Sequence, residues 1–186
     1  MITENKQPEL TQKMVRLLDE VTAGIKKYGR LVNEHGEHYY AYEVDGLGNS
    51  LFMDDANVPS LLSLPFLSYC EKNDPVYLAT RNKILSDANP YYYEGKCLRG
   101  IGSPHTPPNY VWPISLAMEG LTSDDLAEIE RKLQIIATTD AGTIQCHEGI
   151  DVNDPQQYTR EWFSWANMTY CQLAMHYLAL KEQDSN

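Results

Sequence analysis

Residues 121–139 read LTSDDLAEIERKLQIIATT, and they carry the clearest secondary-structure signal in the chain. Leu126, Ile129, Leu133 and Ile136 recur at the three- and four-residue spacing of one helical face. Thr122 or Ser123 is placed to cap the helix, and acidic residues fill its first turn, where the helix dipole favours negative charge. The pattern predicts an amphipathic helix with one buried face. Working outward, the same logic recurs. Thr11–Lys27 places Met14, Leu17, Leu18, Val21 and Ile25 on one stripe, and Gly29 ends that helix. NDPVYLATRNKIL (73–85) offers Asp74 as cap and Pro75 at the start of a helix running to Ser86. NVPSLLSLPFLSY (57–69) reads as another, with Asn57 as cap, Pro59 in the first turn and Pro65 as its end. Further helices are expected over Val111–Glu119 and Thr159–Lys181.

Between them lie segments of another kind. EHYYAYEVDGLGN (37–49) predicts a strand entering an Asp45-Gly46 turn, a hairpin signal. Ser86–Tyr110 is rich in Asn, Pro, Gly and Tyr and predicts a long loop with a short strand pair; loops of this length in compact domains usually carry function. Six helices separated by alternating short and long loops predict an all-α fold. The expected architecture is part of an (α/α)6 toroid of helical hairpins, with long loops and minor β-hairpin content. Residues 1–10 are expected to form a flexible tail and residues 11–186 a single domain.

Composition narrows the function. The 186 residues are 42% hydrophobic, enough for a core, and the formal net charge is −11. That charge argues against nucleic acid, which needs a basic stripe, and against an anionic membrane surface. No apolar run approaches the ~20 residues of a membrane span, and the N-terminus shows no signal-peptide pattern. The four cysteines form no C-x-x-C pair, so they read as reduced and buried, in a cytoplasmic setting. Thirteen tyrosines and three tryptophans supply rings that stack on sugars or fill cores.

The candidate chemistry collects in loops. His147-Glu148 has no second histidine at helical spacing, so a zinc-protease site is not expected. Cys146 as a nucleophile is disfavoured because neighbouring side chains diverge. That leaves Glu148 as a general base or ligand contact, or as a plain helix cap. SPHTPPNYVWP (103–113) is stiffened by prolines that would fix His105 and Thr106. Asp54, Asp55 and Asn57 suit either a helix cap or the hydroxyls of a sugar. Glu43 and Asp45 are possible rim acids. Trp162 and Trp165 are read first as core and second as a ligand platform. Carboxylates, amides, histidines and aromatics without a phosphate cradle suit a neutral polyhydroxylated ligand.

Three stretches carry a resemblance. YAYEVDGLGNSLFMDDANVPSLLSLPFL (40–67), NPYYYEGKCLRGIGSPHTPPNYVWPISLAMEGLTS (89–123) and TTDAGTIQCHEGIDVNDPQQYTREWFSWAN (138–167) resemble the glycoside hydrolase family 125 enzymes, in the same order and over most of Gly36–Leu178. The resemblance implies an (α/α)6 exo-α-1,6-mannosidase that inverts configuration and uses neither metal nor other cofactor. It implies that Glu148 is the general base, activating water on the face of the mannose opposite the leaving group. It also implies that Asp54, Asp55, Asn57, His105, Thr106 and His147 line the pocket for the terminal mannose of an oligosaccharide. Two details depart from the family: Cys146 stands where Met is usual, and Gly149-Ile150 where Ser-Phe is usual. The family's general acid lies in an Arg-Pro-Ser-Asp-Asp-Ala stretch that this sequence lacks. The resemblance therefore implies the C-terminal half of the enzyme, with a second chain or self-association covering the open side. The rival readings are a non-catalytic carbohydrate-binding remnant and an unrelated all-α interaction module.

Overall fold

The computed structural model describes residues 7–184. Residues 1–6 of the expected tail lie outside the described residues, and Pro8–Leu10 already belong to the first helix. Among the described residues there are five α-helices and nine short strands: α1 (Pro8–Tyr28), β1 (Arg30–Val32), β2 (His38–Tyr40), β3 (Glu43–Val44), β4 (Ser50–Leu51), α2 (Pro75–Ile84), β5 (Tyr92–Glu94), β6 (Arg99–Ile101), β7 (Tyr110–Val111), α3 (Pro113–Leu121), α4 (Leu126–Thr138), β8 (Gly149–Asp151), β9 (Tyr158–Thr159) and α5 (Ser164–Asp184). The all-α expectation is thus overturned. Three two-stranded antiparallel sheets and one three-stranded sheet, in the order β7-β8-β9, are present; β2 and β3 fall in the expected strand and hairpin and β5–β6 in the expected strand pair, whereas β1 and the three-stranded sheet occupy stretches expected as loop or helix. Strands of two or three residues are too short to show a period-two pattern, which is why β1 and the three-stranded sheet carry no strand signal of their own.

The core forms around α3. All nine of its residues are buried, because α4 and α5 flank it and β6 lies against it. α4 contributes Ile129 and Ile136, both buried as the sequence predicts, while Leu126 and Leu133 are half-buried. Its cap is Asp125, whose carboxylate accepts from the Ala127 N–H at 2.9 Å, in place of Thr122 or Ser123. Thr122 instead bonds back to the Met118 carbonyl, and Ser123 donates to Glu128. α2 starts as expected: the Asp74 carboxylate accepts from Val76 and Tyr77, with Pro75 in the first turn. α1 packs against β1 and buries none of its residues, so Met14, Leu17, Leu18 and Val21 face solvent.

The expected helix at 57–69 is a series of turns. The cause is Asp54, which takes the capping role assigned to Asn57. Its carboxylate accepts from Leu61 N–H at 2.7 Å and Leu62 N–H at 3.0 Å, folding the chain back on itself before Pro65 stops any helical run. The final helix starts at Ser164, later than the expected Thr159, because residues 158–159 pair with β8. All four cysteines are free, but Cys146 alone of them is buried; Cys97 and Cys171 are exposed.

Candidate functional site

The three-stranded sheet positions Glu148. It directly precedes β8, and its N–H donates to the Thr159 carbonyl at 3.1 Å, with the Arg160 carbonyl close behind at 3.4 Å. This pins the base of the side chain, which is 15% exposed. Arg160 then turns back across it. Its backbone is left-handed at φ 46°, a costly conformation for a residue with a Cβ, and one that clusters at functional sites. The turn brings the guanidinium Nη2 to 3.6 Å from Glu148 Oε1 and lays it 5.2 Å over the Phe163 ring. Nothing in the sequence around residue 160 announces this arrangement, which depends on β8–β9 pairing.

Glu148 opens on a cleft of about 890 Å³. Asn57 and His105 line it, together with Trp112, Arg160, Trp162 and Trp165. Glu148 is the sole carboxylate among the described residues that line it. Three of the seven sequence-derived site residues therefore meet at one cleft: Glu148, Asn57 and His105. The other four stand behind its walls. Asp54 is fully buried and spends both oxygens on the backbone; burial pushes its carboxyl up to about 7. Asp55 accepts from the backbone and the side-chain amide of Asn57 at 3.2 Å, so it orients a cleft residue. Thr106 Oγ1 accepts from the Trp112 indole N–H at 3.0 Å and fixes the cleft floor.

His147 has no exposed surface. Its ring stacks flat on Tyr158, 3.8 Å between centroids. Its Nδ1 lies 2.6 Å from the Glu161 carbonyl, and a carbonyl only accepts, so Nδ1 carries the proton. Nε2 is buried with no hydrogen-bond partner in the protein. The imidazole thus ties the Glu148 strand to the segment after β9. Cys146 is not a nucleophile: burial pushes its thiol up to about 11, so the thiolate is scarce at neutral pH. Asp45 closes the 45–49 turn by accepting from Leu47 and Asn49, and Glu43 lies in the strand before it. Both border a separate apolar groove of about 800 Å³ between α1 and the β3–β4 hairpin, away from Glu148.

Trp162 and Trp165, read first as core, are 65% and 63% exposed. The left-handed turn at Arg160 puts Trp162 outside the helix, and α5 begins with Trp165 facing out. No group of three or more His, Cys, Asp or Glu side chains placed to hold a metal occurs among the described residues. No helix among them is long and apolar enough to cross a membrane.

The sequence profile of a family described as metal-independent alpha-mannosidase (GH125) matches residues 1–175. A relative from Schizosaccharomyces pombe, the meiotically up-regulated gene 157 protein, is 43% identical over 182 residues, which are 97% of this chain and 36% of that protein. A solved Streptococcus pneumoniae structure, from work on metal-independent alpha mannosidases, is a non-productive substrate complex with alpha-1,6-mannobiose. It shares 48% identity with this chain and superposes with a TM-score of 0.92 over 96% of it and 42% of the pneumococcal chain. The chain thus spans well under half the length of either relative.

Proposed function

This chain belongs to the metal-independent alpha-mannosidase family GH125, and from that premise we propose that it forms the base-bearing part of a glycosidase that removes terminal α-1,6-linked mannose. The carrying observation is Glu148, recessed in the cleft as its one lining carboxylate among the described residues. In an inverting reaction, a base takes a proton from water as the water oxygen attacks the anomeric carbon. A carboxylic acid on the other face gives its proton to the departing glycosidic oxygen. Glu148 serves as the base, with the Arg160 guanidinium 3.6 Å from its carboxylate. Asn57 and His105 supply hydrogen bonds to the ring hydroxyls, while Asp55 and Thr106 hold the walls. The acid comes from polypeptide other than this chain. The uncovered stripe of α1, where Leu17 and Leu18 are 60% and 64% exposed, is consistent with such a partner or with self-association.

A second reading, a sugar-binding remnant without turnover, draws on the same single carboxylate. One experiment separates them. Mannose release from α-1,6-mannobiose is measured for the chain alone and for the chain mixed with the part of the pneumococcal protein that it leaves uncovered. The enzyme reading expects release at least ~10²-fold slower alone, the usual worth of an acid catalyst. Activity should be restored in the mixture and lost again with Glu148→Gln. No turnover in the mixture favours the remnant.

A further inference from the structure

Glu148 lies in a segment strapped, residue by residue, to the entry of α5. The Cys146 carbonyl accepts from the Phe163 N–H at 3.0 Å. His147 Nδ1 donates to the Glu161 carbonyl, and the Glu148 N–H to that of Thr159. One further bond comes from within the helix itself. The Cys146 N–H donates to Oδ1 of Asn167, 3.1 Å away and 21 positions later in the chain. A main-chain N–H only donates, so it must face the oxygen, and this fixes which way round the Asn167 amide lies. The other end of that amide is also committed: Nδ2 donates to Gln145 Oε1 and to the Phe163 carbonyl, both at 3.3 Å.

The two sides of this grip differ. Asn167 stands in the first turn of α5, which packs on α3 and α4. Further along α5, Leu173 is fully buried, and it lies so close to Gly120 of α3 that a Cβ there would come within 2.7 Å of it. The helix is therefore the rigid side. The loop side is strained. Ala141, Ile144 and Arg160 are left-handed at φ 50°, 59° and 46°, and Ile144 is β-branched, the kind of residue that tolerates this region least. Such backbones persist only where the surrounding structure over-determines them. Without the Asn167 oxygen, the N–H of buried Cys146 loses its acceptor, and the loop relaxes by turning that N–H toward water. The turn would swing the main chain two residues before Glu148.

Asn167 does not line the Glu148 cleft, so its influence there passes through the Cys146 amide. Resting on the glycosidase reading of this cleft, we propose that Asn167 is a positioning residue for the base. It transmits the fixed pose of α5 to the segment carrying Glu148, and so sets where that carboxylate meets the attacking water. Its effect falls on the chemical step and not on the holding of the sugar.

Two measurements test this. Amide hydrogen exchange on the unmodified chain should find the Cys146 N–H protected. In Asn167→Ala it should exchange at least ~10-fold faster, while the amides of α3 keep their protection. Alanine favours the helix, so α5 should still form. Mannose release from α-1,6-mannobiose is then followed in the mixture with the part of the pneumococcal protein that this chain leaves uncovered. Asn167→Ala should lower kcat by ~10- to 100-fold with KM within ~threefold, because a misplacement of about 1 Å can cost ~10²-fold. Asn167→Asp keeps an oxygen facing the Cys146 N–H and should hold kcat within ~threefold of the parent. The proposal is overturned if Asp and Ala lose activity equally, if Ala loses none, or if the loss only tracks lost folded protein. A Cys146 amide that exchanges freely in the unmodified chain overturns it even where Asn167→Ala does not fold. No release by the parent mixture is a separate failure: it removes the glycosidase reading, and the positioning role with it.

Discussion

Replacing Lys132 with Met should be among the most damaging single substitutions in the chain, although it lies away from the cleft. Lys132 on α4 places its ammonium 2.5 Å from Glu119 Oε2 on α3, and both side chains are only 8% exposed. The other Glu119 oxygen has no partner, so the lysine is the main compensation for a buried carboxylate. Arg81 donates to the Glu119 main-chain carbonyl and to Glu128, not to this carboxylate. Removing one member of a buried pair costs ~3–5 kcal/mol, because the remaining charge stays in a poorly solvated place. At ~2–4 °C per kcal/mol for a chain of this size, the melting temperature should fall by roughly 6–20 °C. Burial holds the Glu119 carboxyl above the usual carboxylate range, and Lys132 pulls it back down. Without Lys132 it rises further, so the folded variant takes up a proton more readily than the unfolded chain. The loss should therefore be largest at alkaline pH and shrink as the pH falls. Urea unfolding at two pH values tests this, with Glu119→Gln/Lys132→Met as the second variant. The double variant leaves no lone charge and should recover much of the loss. A single variant within ~1 kcal/mol of the parent, or a double variant no better than the single, refutes the reasoning.

Further outcomes follow from other sites. Asp54 has its carboxyl raised from 3.8 to about 7, so between those values the folded state keeps a proton that the unfolded state has lost. Stability should fall as pH rises through that window, by up to ~4 kcal/mol at ~1.36 kcal/mol per pH unit, and Asp54→Asn should flatten the slope of unfolding free energy against pH. Gly102→Ala would drive a Cβ into the Tyr110 carbonyl oxygen, a backbone atom with little room to yield. Overpacking of this kind costs ~1–3 kcal/mol, read as a lower urea midpoint, and a neutral result would mean that β6 and β7 can separate. Exhaustive chelation should leave mannose release by the completed enzyme unchanged; a loss restored by calcium or zinc would require loop acids to act as ligands.

The sequence made some of this legible and concealed the rest for definite reasons. α2 and α4 carry their own punctuation, Asp74-Pro75 and a four-residue apolar face, and both helices form there. The turns at 57–69 misled because Asp54 reaches seven and eight residues ahead to the Leu61 and Leu62 amides, a contact no local helix rule contains. Strands β7, β8 and β9 are two or three residues long, and they pair across gaps in the sequence that only the packed core closes. Glu148, Asn57 and His105 stand out from their loop context, the family resemblance gives them their roles, and they meet at one cleft. Arg160 escaped notice because its role depends on a left-handed turn and strand pairing. His147, expected to line the mannose pocket, is a buried strut that stacks on Tyr158 and does not line the cleft.

The most direct test of the central claim is a crystal structure of this chain grown with α-1,6-mannobiose. The account predicts the terminal mannose in the cleft between Asn57 and His105, with its anomeric carbon facing Glu148. Sugar bound in the groove beneath α1, or in the cleft with its anomeric carbon turned away from Glu148 and toward Asp54 or Asp55, would contradict it.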